Sequence, residues 1–90
     1  MVTFEEAISL VRKSFKQDYI LYGFEYGDEY VFEILSFNHE QMHTNQSLLV
    51  SVSKKDGEVY VFDLGKAIDN PDDYAKAKEN KIIIDDIKRG

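Results

Sequence analysis

The 90-residue chain contains no cysteine, which excludes disulfides, thiol nucleophiles and sulfur-ligated metals. Its longest apolar runs are a few residues, where a bilayer span needs about 20. Met1 to Leu10 lack the basic-then-apolar pattern of a signal peptide, so the sequence predicts a cytoplasmic chain with no membrane partner. Basic residues are also scarce. Eleven Lys and Arg face seventeen Asp and Glu, a net charge of −6, and the resulting pI of about 4.8 argues against a nucleic-acid partner. No Gly-rich phosphate loop and no G-x-S-x-G turn occur, and no cofactor is expected. What is present, 43% hydrophobic and 31% charged residues, is the balance of a globular chain. The length suits a single domain over 1–90.

The missing bases are missing from one place. From Gln17 to Ser53 there is no Lys or Arg, against six acids: Asp18, Glu25, Asp28, Glu29, Glu33 and Glu40. The remaining eleven acids equal the eleven bases, so the whole net charge belongs to this window. The window also holds seven of the twelve Phe and Tyr residues, namely Tyr19, Tyr22, Phe24, Tyr26, Tyr30, Phe32 and Phe37.

Local patterns predict an α+β fold. Thr3-Phe4-Glu5-Glu6 reads as a capping box, and Phe4, Ala7, Ile8, Val11 and Phe15 recur at helical spacing, predicting a helix over 3–17. Tyr19–Tyr26 and Tyr30–Phe37 are β-rich runs joined too closely for anything but a hairpin. A two-residue Gly27-Asp28 turn sets Phe24 beside Val31 and Tyr22 beside Glu33. A three-residue loop instead gathers Tyr22, Phe24, Tyr26, Tyr30, Phe32 and Ile34 on one face and leaves Glu25 and Glu33 on the other. The second register segregates polarity better and is favoured, although it puts Glu29 where glycine is usual. A second hairpin joins Leu48–Ser53 to Glu58–Asp63 around Lys55-Asp56-Gly57. Four strands form a meander with the first helix covering one face. Asn70-Pro71-Asp72-Asp73 opens a short second helix with a thin stripe of Ile68, Tyr74 and Ala77. The run Ile82, Ile83, Ile84 and Ile87 suggests a short fifth strand, and a homodimer contact through Ile82, Ile83 and Ile84 if it is exposed.

Two patterns carry possible chemistry. His39-Glu40-Gln41-Met42-His43 matches H-E-x-x-H, in which two imidazoles one helical turn apart bind zinc and the Glu polarises its water. Here the motif lies in a polar stretch with no amphipathic helix, and a third ligand would have to be a carboxylate such as Glu58 or Asp63. His39 and His43 are therefore metal candidates, and a zinc hydrolase is the alternative to a non-enzymatic reading. Asp72-Asp73 and Asp85-Asp86 are adjacent pairs, which do not face one another as an acid/base couple would on a helix. The second pattern is the aromatic-acidic hairpin. Tyr flanked by carboxylates makes a protein-recognition surface that steers basic partners, with Glu25, Tyr26, Asp28, Glu29, Tyr30 and Glu33 as the candidate contacts.

The opening Thr3 to Ala7, followed by the strand pair Ser53-Lys54-Lys55-Asp56-Gly57-Glu58-Val59-Tyr60-Val61-Phe62, resembles small bacterial immunity proteins of the YrhB type. The likeness runs over about residues 1 to 75, with Gly65-Lys66-Ala67 following the last strand. It implies a non-enzymatic protein that binds and neutralises a cognate toxin, and it brings no catalytic residues.

Overall fold

Thr3 starts the first helix as its side chain requires. Its hydroxyl accepts from the Glu6 backbone N–H at 3.2 Å, and the Glu6 carboxylate accepts from the Thr3 N–H at 3.3 Å. Such a cap stabilises a helix by about 1 kcal/mol. The helix α1 spans Phe4–Ser14, with Glu5 and Glu6 at its positive end and Arg12 and Lys13 at its negative end. Ala7 and Val11 are fully buried, with Phe4, Ile8, Leu10 and Phe15 packed around them.

The computed structural model describes residues 1–16, 18–36 and 46–85. After α1 come strands β1 (Tyr19–Tyr26), β2 (Glu29–Ser36), β3 (Gln46–Ser53) and β4 (Val59–Val61). Helices α2 (Leu64–Asp69) and α3 (Pro71–Glu79) follow, then β5 (Ile82–Ile83). The fold is α+β. Its antiparallel sheet has the order β4-β3-β2-β1-β5, a four-strand meander with a short fifth strand on the β1 side.

The favoured register of the first hairpin is overturned. Tyr26 pairs with Glu29, Glu25 with Tyr30, Phe24 with Val31 and Tyr22 with Glu33, so the turn is the two-residue Gly27-Asp28. Gly27, at φ +58°, holds the left-handed first position of that turn. Polarity segregation fails as a guide because both faces of this sheet are covered. A bulge then changes the alternation within β1. Ile20 pairs with Ile34 and Tyr22 with Glu33, leaving Leu21 as the extra residue. Ile20 and Tyr22, two apart, consequently point to opposite faces and enter different cores.

The first face holds Ile20, Tyr30, Phe32, Ile34, Val50 and Val52 against α1. Gly23 lies on this face opposite Phe32, and a Cβ there would come within 2.4 Å of the Phe32 ring and 3.0 Å of Phe4. The missing side chain lets Phe4 and Phe32 stack across the strand, centroids 5.4 Å apart. The second face holds Tyr22, Phe24, Val31 and Phe62 against Ala67 of α2 and Tyr74 and Ala77 of α3. Tyr74 lies 5.7 Å from each of Phe24, Tyr26 and Phe62, so this layer is a ring cluster.

The two-residue β5 pairs Ile83 with Tyr22 and Ile82 with Gly23. Just beyond it, the Asp85 carboxylate accepts from Arg12 at 2.9 Å and from the Ile20 backbone N–H at 2.8 Å, linking α1, β1 and β5. Arg12, first by its hydrogen bond, draws the Asp85 carboxyl below its ordinary range. Among the described residues no helix is long and apolar enough to cross a membrane.

Candidate functional site

The six residues expected to form one acidic-aromatic surface are divided between the faces by the observed register. Glu25 and Tyr30 lie opposite one another on the α1 side. Tyr26, Glu29 and Glu33 lie on the α2–α3 side, and Asp28 is exposed in the turn. Glu29 and Tyr30 are only 5% and 8% exposed, which removes both from any accessible patch. The Tyr30 hydroxyl donates to the Val2 carbonyl at 3.0 Å, and its ring packs edge-on to Phe4.

Glu29 is held by groups that the sequence pattern did not connect. One carboxylate oxygen accepts from the buried Ser51 hydroxyl at 2.6 Å. The other accepts from the Lys66 ammonium at 2.8 Å and the Tyr60 hydroxyl at 3.3 Å. The hydrogen bond to Glu29 raises the Lys66 pKa, and burial followed by the Glu29 charge raises that of Tyr60. A buried carboxylate given three donors is a satisfied structural group. It fastens α2, which has no buried residue of its own, to the sheet. Ser51 and Tyr60 are cross-strand partners, so the link was latent in the β3–β4 alternation. Lys66 carried no periodic signal.

Glu25 sits in a different setting. It is exposed, paired with the Lys54 ammonium, and stands at the side of a cleft of about 690 Å³. The cleft is lined by Phe4, Phe24, Glu25, Gly27, Tyr30, Asn80 and Ile82. It opens where β5 ends: Tyr22 and Gly23 have β5 beside them, whereas Phe24, Glu25 and Tyr26 have no strand on that side among the described residues. Because Tyr26 and Glu29 flank a two-residue turn, they exchange backbone hydrogen bonds, and alternation turns the Glu25 N–H and C=O outward into this opening. Lys54 lies over the Tyr30 ring at 5.2 Å, showing how an ammonium sits between this carboxylate and this ring. Phe4, Asn80 and Ile82 were not anticipated as neighbours of Glu25, since only the fold joins them.

The metal candidates His39 and His43, with Glu40, lie outside the described residues. Among the described residues no cluster of three metal-ligating side chains occurs. Of the carboxylates considered as a third ligand, Glu58 is exposed beside the second turn, while Asp63 caps α2 by accepting from the Gly65 N–H at 2.9 Å. Asp72 and Asp73 occupy the first turn of α3. Asp85 is committed to Arg12 and Ile20, and its neighbour Asp86 is outside the described residues. Comparison with known proteins finds no matching family model, no matching curated protein and no matching solved structure.

Proposed function

We propose that this is a non-enzymatic cytoplasmic binding module, an immunity or inhibitor protein of the kind its sequence resembles, which receives a basic extended segment of a protein partner at the β1 edge. The observation that supports it is the cleft itself. Its apolar walls Phe4, Tyr30 and Ile82 suit the methylene stem of a Lys or Arg, and Glu25 suits the charged head. The outward N–H and C=O of Glu25 suit one rung of strand addition. The span from Gln17 to Ser53 supplies acids without bases, and the exposed Asp28 continues the negative potential past the turn. Such a field speeds association with a basic partner and weakens with salt.

A display library of extended peptides panned on the immobilised chain tests this reading. Sequences with Lys or Arg flanked by apolar residues should be enriched, and purified peptides should bind more weakly at high salt. The paired reversal Glu25→Lys with Asp28→Lys should reduce affinity by about tenfold or more in a chain that still folds, with a modest fall in melting temperature because Lys54 loses its Glu25 partner. Enrichment of acidic or uncharged peptides, or equal binding by the reversed variant, would end the proposal.

A further inference from the structure

The charge of Glu25 is answered from within the chain, and the pair is built in the reverse sense of the Lys66–Glu29 pair. There the carboxylate is buried and the ammonium half-exposed. Here the Lys54 side chain is only 15% exposed and the Glu25 side chain 68%. The lysine is the seated group. Its ammonium bonds Glu25 and lies 5.2 Å from the centre of the Tyr30 ring, the distance of a cation–π contact. The walls of this seat are fixed, since Tyr30 is held by its bond to Val2 and by the Phe4 ring, 5.5 Å away and edge-on.

The occupant is fixed only at its root. The Lys54 N–H donates to the Asp28 carbonyl at 3.0 Å, and the Lys54 carbonyl accepts from the Val2 N–H at 2.7 Å. The flexible stem beyond can therefore turn without moving the main chain. It also has somewhere to go. A second cleft, of about 580 Å³, has Lys54 in its wall together with Met1, Asp28, Ser53 and Lys55, so the exposed Asp28 offers another carboxylate. Because Glu25 is open to water, the present pair is screened and contributes only modestly to stability.

We propose that the Glu25 carboxylate and the face of Tyr30 form a binding site for a primary alkylammonium, filled in the free protein by the chain's own Lys54, and that a partner's lysine enters by displacing it. The displacement step rests on the reading of the cleft as the site of a basic segment. Two ammoniums on one carboxylate repel, so the incoming lysine gains Glu25 only as Lys54 leaves. The exchange is like for like in charge, and Lys54 acts as a built-in competitor that lowers the affinity of the wild type.

Melting of the whole chain in n-butylammonium chloride tests the site with the lysine side chain alone. Lys54→Ala keeps both backbone hydrogen bonds and should gain about 2 °C when the salt reaches its Kd. Sodium chloride or n-butanol at the same concentration should not reproduce the gain. Butylammonium should stabilise neither the wild type nor Lys54→Ala combined with Glu25→Gln. The peptide acetyl-Val-Lys-Val-amide tests displacement, and should bind Lys54→Ala about tenfold more tightly than the wild type. Lys55→Ala, which removes the same charge outside the Glu25 pair, should bind it as the wild type does. No gain in butylammonium, or a gain shared by the wild type or by n-butanol, overturns the site. Equal peptide affinity for Lys54→Ala and the wild type, or equal tightening by Lys55→Ala, overturns the displacement. If neither chain binds the peptide while butylammonium still stabilises Lys54→Ala alone, the binding-module reading fails and the ammonium site stands.

Discussion

The two faces of the sheet are closed by different means. On the first, α1 brings its own apolar stripe and the strands answer with Ile, Val and Phe. On the second, neither α2 nor α3 has a fully buried residue. There the strands supply the apolar surface, and the helices are fixed by one tyrosine among three rings and one lysine on a buried carboxylate. Helix cover can thus be secured by periodicity within the helix, or by a few directional contacts that the sheet provides. Only the first kind is written in the helix sequence.

The largest test of this contrast removes one ring from each face. Phe32→Ala and Phe24→Ala should each cost about 3–5 kcal/mol in denaturant unfolding. Hydrogen exchange should then divide them, Phe32→Ala loosening α1 and Phe24→Ala loosening α3. Equal loss of protection in both helices would merge the faces into one cooperative layer. Gly23→Ala should cost about 1–3 kcal/mol, because the added Cβ collides with the Phe32 ring on the first face. A neutral result would mean that the Phe4–Phe32 stack yields freely. Glu29→Gln on the second face should cost about 1.5 kcal/mol, since Lys66 loses its anionic partner at a buried site. It should loosen α2 before α1, and no change in α2 protection would deny that the ion pair fastens it. The smallest effect is confined to alkaline pH. Burial, then the charge and hydrogen bonding of Glu33, push the Tyr22 phenol from 10.0 up to about 12. A raised folded-state value means that Tyr22 contributes stability fully below pH 10 and loses it as pH rises through about 12. Spectrophotometric titration should show a tyrosinate component near that value, absent in Tyr22→Phe.

Much of the scaffold was legible. Thr3 and Glu6 announced the first helix, and the aromatic and β-branched runs announced the two hairpins, Tyr26 to Glu29 and Ser53 to Val59, because those connections are short. What was hidden depends on context. The polarity of β1 and β2 favoured a register with every ring on one face, but Glu29 and Glu33 lie on the same side as Tyr22, Phe24 and Tyr26. A strand covered on both faces need not alternate apolar with polar. The Leu21 bulge leaves no local signature. α2 escaped because Gly65 interrupts it and its apolar Leu64 and Ile68 face outward, so the stripe marks exposure instead of burial. Of the candidate site, Glu25 and Asp28 remain accessible, whereas Glu29 and Tyr30 are taken up by Ser51, Lys66 and Val2. Burial depends on what covers the strand, which residue type does not specify.

The Asp85 carboxylate has a mechanical consequence. It holds Arg12 and the Ile20 amide at once, tying the segment that follows β5 to both α1 and β1 through a single anion. Force applied between α1 and the chain beyond Asp85 would load this bridge before any strand of the meander, and its failure would let the two-residue β5 peel away rung by rung. Peeling exposes the β1 edge along Tyr22 and Gly23, contiguous with the opening at Glu25. A tug at one end of the chain would therefore lengthen the open stretch of the β1 edge.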